Sequence, residues 1–293
     1  MNFYLGCAVW SYKEWVGNLY PPKSQPRDFL KLYSQRFTTV EGNTTFYAIP
    51  AAETIAKWRS QTAPGFKFCP KLHRQITHQG LLTPRIAEAI AFLERVSGLQ
   101  ERLGTTFIQL PPSYSPLYLA DLTEFLIACN KTNLPLALEV RHLDWFKPEN
   151  SDPEGYAERN RLNDLLIKLN ISRVLLDTRP IYNCPDDPQI GSLRKKPKLP
   201  LQPILTSNTA FVRFISHPDP QYNQTYLQQW GIQLQEWLSQ GKTVYFFVHC
   251  PQEVRSPGTA KLFFDLLQQQ LDLNSDCLPW IDLAPNPTQL SLF

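Results

Sequence analysis

The 293-residue chain has no pair of cysteines at C-x-x-C spacing; Cys7, Cys69, Cys129, Cys184, Cys250 and Cys277 stand far apart. Zinc-ribbon and thioredoxin-type chemistry are thereby unsupported. Nothing routes the chain to an oxidising compartment, so the thiols are expected to stay reduced in the cytoplasm. The start lacks a basic segment followed by a long apolar stretch. No run of about 18 apolar residues occurs, so a membrane is not an expected partner. No G-x-G-x-x-G follows the first apolar run, which removes the dinucleotide-binding fingerprint. Charge is scarce too: 19% of residues are charged, against a usual share of about a quarter. The net charge of +3 is too small to point to nucleic acid by itself.

What is present is a series of short apolar runs. Eight of them, 3–10, 38–46, 67–73, 105–111, 136–142, 172–178, 209–216 and 243–251, are of strand length and rich in β-branched or aromatic residues. Their starts lie roughly 30–40 residues apart, room for the crossover that a parallel pair requires. Helical stripes fill most gaps. Ile86, Ile90, Leu93 and Val96 form one, with Thr83 as a candidate cap and Pro84 in the first turn. Leu119, Leu122, Leu126 and Cys129 form another, and Leu162, Leu165, Leu166 and Leu169 a third. A fourth joins Leu227, Trp230, Leu234, Trp237 and Leu238 before Gly241. Strands alternating with helices predict an α/β protein with a parallel sheet, and eight strands predict a (β/α)8 TIM-type barrel over residues 1–283. Residues 179–208, with six prolines and no helical stripe, are expected to be a long irregular loop after strand six. Its Arg194, Lys195, Lys196 and Lys198 lie close enough to sum their fields on a phosphate; a solvated charge run is the other reading.

The strands end in polar residues. Glu41 and Asn43 close strand two, Lys71 and His73 strand three, Gln109 strand four, and Glu139 and Arg141 strand five. Asp177 closes strand six, Arg213 lies in strand seven, and His249 ends strand eight. In a parallel barrel these ends open on one face, where barrel enzymes keep their chemistry. Side chains two apart on a strand point the same way, so Glu41 pairs with Asn43, Lys71 with His73 and Glu139 with Arg141.

The segments VWSYKEWVGNLYP (9–21), FTTVEGNTTFYAIP (37–50), FKFCPKLHRQITH (66–78), FIQLPPSY (107–114) and LALEVRHLDWF (136–146) resemble the YecE-like barrel family, a domain of unknown function. The resemblance implies a (β/α)8-type fold and no settled reaction. Trp10, Tyr12, Glu41, Asn43, Thr45, Phe46, Tyr47, Lys71, Gln109, Glu139, Arg141, Asp177 and Arg213 match its pattern. The chain departs from that pattern late. Ile215 and Ser216 replace a His-Gly pair, and His249 and Cys250 replace a pair of asparagines.

Two chemistries suit the polar ends. A divalent metal held by Glu41, His73, Glu139, Asp177 and His249 would serve phosphodiester cleavage, but Lys71, Arg141 and Arg213 at the same opening disfavour cations. An anion suits them better. Lys71, Arg141 and Arg213 would clamp a phosphate or carboxylate, and Gln109, His73 and His249 would add polar contacts. Glu41, Asn43, Glu139 and Asp177 are the candidate catalytic residues, with a carboxylate as general acid or base. Trp10, Tyr12, Phe46, Tyr47 and Tyr114 are candidates to stack on a base or sugar. No cofactor is otherwise implied.

The C-terminal tail, 284–293, ends in QLSLF. This resembles the peptide by which bacterial replication and repair proteins dock on the sliding DNA clamp. Gln289 would set register and Leu290, Leu292 and Phe293 would fill an apolar groove. The expectation is an anion-binding barrel acting in a DNA transaction, nuclease-like or base-processing, with the clamp and DNA itself as partners. The alternative is an enzyme acting on a phosphorylated or carboxylated metabolite, with the tail docked on its own barrel.

Overall fold

A computed structural model describes residues 2–147, 153–190 and 195–271. The strands are β1 (Phe3–Cys7), β2 (Thr39–Gly42), β3 (Lys67–Pro70), β4 (Thr106–Gln109), β5 (Leu136–Glu139), β6 (Ser172–Asp177), β7 (Thr209–Ile215) and β8 (Thr243–His249). Each falls within one of the eight apolar runs, and almost every strand residue is buried. Burial on both faces is what continuous apolar runs in a parallel sheet require. Every ladder is parallel.

The ladders form a curled six-stranded sheet, β1-β8-β7-β6-β5-β4, and a separate two-stranded sheet, β2-β3. The continuous eight-stranded barrel expected from the sequence is therefore realised in part. At one seam, a single backbone bond from Thr38 N to Leu5 O at 3.2 Å is supplemented by side chains. The Thr38 hydroxyl accepts from Leu5 N at 2.9 Å, and the Tyr33 hydroxyl accepts from Cys7 N and donates to Thr39 O. A Cβ on Gly6 would stand 1.9 Å from Thr39 O, so only glycine permits this approach. At the other seam, Gly104 N donates to Phe68 O and Leu72 N to Phe107 O. There a Cβ on Gly104 would press on Cys69 Sγ at 2.8 Å.

Helices cover the outside of the sheet as their stripes demand. Ala89, Phe92, Leu93 and Val96 of the helix Ile86–Ser97 are buried, as are Leu227, Trp230, Leu234 and Trp237 of Gln224–Ser239. Thr83 does not act as the expected cap; its hydroxyl donates to Asp121 Oδ1 at 2.7 Å. Inside the curl, Tyr4, Cys69, Phe107, Phe211, Tyr245 and Phe247 pack as an aromatic floor. No helix among the described residues is long and apolar enough to cross a membrane.

The segment 179–208 starts with one helical turn, Arg179–Tyr182, and is irregular elsewhere in its described part. Though partly exposed, it is fastened to the body at several points. Leu199 packs on Leu176, Ile181 and Ile215, and Lys196 N donates to Gln189 Oε1 at 2.6 Å. Arg194 and the tail residues Gln289, Leu290, Leu292 and Phe293 lie outside the described residues.

Candidate functional site

Above the aromatic floor, the carboxyl ends of the strands enclose a cavity of about 720 Å³. Of the residues singled out in the sequence, Asn43, Phe46, Tyr47, Lys71, Gln109, Arg141, Arg213 and His249 line it. Glu41 and Glu139 lie buried against these side chains. β2, β3, β4, β5, β7 and β8 each contribute at least one group, because the residue two beyond the floor position on each faces the same way.

The deepest layer is a closed ionic network. Arg213 rests on the Phe107 ring, with its guanidinium carbon 5.4 Å from the centroid. Its Nε and Nη2 donate to the two oxygens of Glu41 at 2.7 and 2.8 Å, and its Nη1 donates to Glu139. Glu139 also accepts from Arg141 Nε at 2.6 Å, and Glu41 from Asn43 Nδ2 at 2.7 Å. His249 Nε2 lies 2.8 Å from Glu41 Oε2. Burial alone would raise the Glu41 carboxyl, but Arg213, and then His249, hold it well below the usual range. Glu139 is likewise pulled against burial, by Arg213 and Arg141, down to about 2. Burial pushes His249 down to about 4, so it is neutral at pH 7 and its Nε2–H donates to Glu41. Two carboxylates and two guanidiniums balance, and the network carries little net charge.

This changes the reading of Arg213. It is not a free arm of a clamp; three of its N–H groups bind carboxylates, so it works as a strut between Glu41 and Glu139. Nor are those carboxylates poised as general acids near neutrality, since both are paired and anionic.

The rim differs. Lys71 Nζ donates to Gln109 Oε1 at 2.6 Å and lies 3.9 Å from the Phe46 ring centroid. Burial, and then the Arg213 charge, bring its amine from 10.5 to about 7. Gln109 Nε2 reaches His78 Nε2 at 3.4 Å, and His78 Nδ1 is 2.7 Å from the Thr77 hydroxyl. Burial and Lys71 bring His78 to about 4, which leaves it neutral at pH 7. The Arg141 terminal nitrogens bond no described residue, while Arg74, Lys195 and Lys196 bring further positive charge to the cavity wall. Burial lowers Lys196 to about 8, and burial raises Glu253, on the same wall, to about 8.

Five sequence expectations do not meet at this cavity. Asp177 faces the opposite side of its strand: Val174 faces the floor, so Asp177, three residues on, points out. There it accepts from Arg179 and from Trp230 Nε1 at 2.8 Å. His73 lies beyond the end of β3, where its Nδ1 caps the turn Arg74–Thr77 by accepting from Gln75 N. Trp10 packs edge-on against Trp58 and Phe68 in the outer core. Tyr12 leans on Trp15 and donates to Glu14. Tyr114 donates to Asp121 Oδ2 at 2.6 Å.

The expected metal ligands do not converge either, since His73 and Asp177 point elsewhere and the Glu41 oxygens are taken by Arg213, Asn43 and His249. Among the described residues one other group has metal-ligand chemistry, Cys184, Asp186 and His217. There His217 Nδ1 accepts from Asp219 N at 2.9 Å, which puts the ring proton on Nε2, the atom facing Asp186. A neutral imidazole in that tautomer cannot ligate a metal through Nε2. A second cavity, of about 370 Å³, at the other end of the strands is lined by no ionisable side chain.

Arg74, His78 and Glu253 were not singled out in the sequence, whereas Lys195 and Lys196 were, as part of a charge run able to act on a phosphate. Arg74 and His78 stand in KLHRQITH, a few residues past Lys71.

An all-parallel sheet with helices outside and a charged cavity at the carboxyl ends defines a barrel-like α/β protein. Residues 4–282 match the family described as protein of unknown function DUF72, and the chain belongs to that family. It is 34% identical over 297 aligned positions to the UPF0759 protein YecE of Escherichia coli K12, covering 99% of each chain. To the UPF0759 protein YunF of Bacillus subtilis it is 29% identical over half of this chain and 52% of the other. The crystal structure of a DUF72 family protein from Thermotoga maritima superposes with a TM-score of 0.65 at 21% identity, covering 92% of this chain and all of that one. One from Enterococcus faecalis gives 0.65 at 19% identity, covering 97% and 98%. At such identities these structures speak for the fold alone.

Proposed function

We propose that the cavity binds a small molecule carrying a phosphate or carboxylate, and that the barrel is an enzyme acting on it. The observation that carries this reading is the separation of the two charged layers. The carboxylates are already neutralised by Arg213 and Arg141, so the positive charge of Arg74, Lys196 and the outer end of Arg141, joined by Lys71 when protonated, is left uncompensated around one opening, while Lys195 pairs with Asp187 at 3.6 Å. Guanidinium ends and ammonium groups with unused donors are what an oxyanion needs. Phe46 and Tyr47 supply apolar wall for the rest of the ligand. The proton-transfer group nearest neutrality at the bottom of the opening is Lys71. The test is calorimetric titration with inorganic phosphate and with a panel of sugar phosphates. Saturable binding that Arg74→Ala and Lys196→Ala each weaken supports the reading; binding as tight in both variants as in the parent, or none in the parent, rejects it.

A second reading is motivated by the terminal QLSLF. We propose recruitment to the sliding clamp through Gln289, Leu290, Leu292 and Phe293, which would place the same anion site in a DNA transaction. Clamp binding lost on removal of residues 289–293 supports it; binding absent from the full chain, or equal in both, rejects it. A steep fall of DNA affinity with salt would count phosphate contacts.

A further inference from the structure

We propose that Lys71 is a carbonyl-reactive amine, condensing with the aldehyde or ketone of the anionic substrate to form an iminium. This rests on the anion-binding reading above and adds the functional group on which the chemistry acts.

The geometry points to the amine in several ways. Lys71 is buried, and its Nζ reaches the bottom of the cavity rather than bulk water. A lysine becomes a nucleophile when it is desolvated or set beside another cation, and both conditions hold here. The Phe46 and Phe107 rings lie 3.9 and 5.6 Å from Nζ, and the Arg213 guanidinium sits on the same Phe107 ring. The amine is also held in place. Gln109 accepts one of its hydrogens, and His78, neutral and fixed against Thr77, accepts from the other end of the Gln109 amide. With one N–H tied to Gln109, the nitrogen lone pair is confined to the remaining directions. Burial, with the Arg213 charge, also puts the free-base form within reach at neutral pH.

The step balances. The lone pair of the neutral amine adds to the carbonyl carbon, and the carbonyl oxygen takes up a proton to give a carbinolamine. Loss of the hydroxyl as water leaves a C=N–H iminium. In sum, one amine, one carbonyl and one proton give one iminium and one water, with no oxidant or reductant. The iminium carries the positive charge that the ammonium carried, in the same place, so Glu41 and Glu139 are no worse compensated after the reaction than before. The outer end of Arg141, with Arg74 and Lys196, would hold the anionic group of the same molecule. Gln109 acts as a positioning residue.

The experiment uses the full-length protein with glyceraldehyde 3-phosphate, glyceraldehyde as its uncharged counterpart, and borohydride, read by intact mass and peptide mapping; phosphate-ester binding is titrated in parallel. The expected result is one reduced adduct on Lys71 at stoichiometric glyceraldehyde 3-phosphate, at least about tenfold faster than at any other lysine, absent in Lys71→Arg and slowed in Gln109→Leu. The rate should climb with pH through about 7. Comparable labelling of Lys71 by uncharged glyceraldehyde supports the imine but overturns the anion reading. Saturable phosphate-ester binding with no preferred Lys71 adduct overturns the imine and leaves the anion reading standing. Neither binding nor adduct overturns both. Because the parent protein is itself labelled, misfolding of a variant does not shield the proposal.

Discussion

The two charged layers of the cavity use the same residue types a few ångströms apart and do opposite things. In the lower layer Arg213, Arg141, Glu41 and Glu139 satisfy one another, with Asn43 and His249 closing the remaining valences of Glu41. In the upper layer Arg74, Lys196 and the outer end of Arg141 face an open volume, and among the described residues the Lys71 ammonium hydrogen-bonds only the neutral Gln109. Buried charge by itself says little about function, because burial forces pairing. Unused hydrogen-bonding capacity facing a cavity says more.

That contrast can be broken from either side. The largest effect is expected in the lower layer. Arg213→Met leaves two anionic carboxylates buried without their strut, and loss of one partner from a buried pair costs about 3–5 kcal/mol. Urea unfolding should show a loss of unfolding free energy of that size. If stability is nearly unchanged, the network is not a closed structural unit. Asp177→Asn comes next. Weakening the bonds to Arg179 and Trp230 should cost about 1–3 kcal/mol, while phosphate binding should stay as it was, since Asp177 faces away from the cavity. A selective loss of binding in this variant would return Asp177 to the site.

The upper layer should behave in the reverse sense. Arg74→Ala and Lys196→Ala should each weaken phosphate binding by about tenfold, or about 1.4 kcal/mol, with stability moved by no more than about 0.5 kcal/mol. The pH dependence sharpens the same distinction. Lys71 and Lys196 lose their protons near 7 and 8. Affinity for sulfate, whose own charge is constant over this range, should therefore be full below pH 6.5 and fall a few-fold by pH 8.5. Lys71 also leaves a mark on stability. Its folded value lies below the 10.5 of the unfolded lysine, so its charged form costs stability in full below pH 7 and the cost is relieved as pH rises toward 10.5. Lys71→Met should gain more over the parent at pH 6 than at pH 9.

Much of this was legible in the sequence. Eight apolar runs gave eight parallel strands, and Glu41, Lys71, Gln109, Glu139, Arg141, Arg213 and His249 do meet at one opening. What the runs could not give was parity. Counting polar residues at strand ends does not say which side of the strand each occupies, and Asp177 falls one residue out of phase with Val174 and Leu176. His73 shows a related limit, because two-residue alternation stops where β3 ends and the chain turns into a helix. The breaks in the expected ring of strands were also beyond reach. Whether Tyr33 and Thr38 hydroxyls or backbone groups fill the seam at Gly6 is decided by contacts some 30 residues apart. Part of the rim was missed for the same reason, since Arg74 and His78 come from a turn after β3 and Glu253 from the chain beyond β8, elements whose path depends on the finished sheet.

The most direct test is a calorimetric titration of inorganic phosphate into the full-length protein and into the Arg74→Ala/Lys196→Ala double variant at pH 6.5. One saturable site in the parent, lost in a double variant that still unfolds at the same urea concentration, is the expected result. No saturable site in the parent, or an unchanged one in the double variant, would contradict an anion-binding rim.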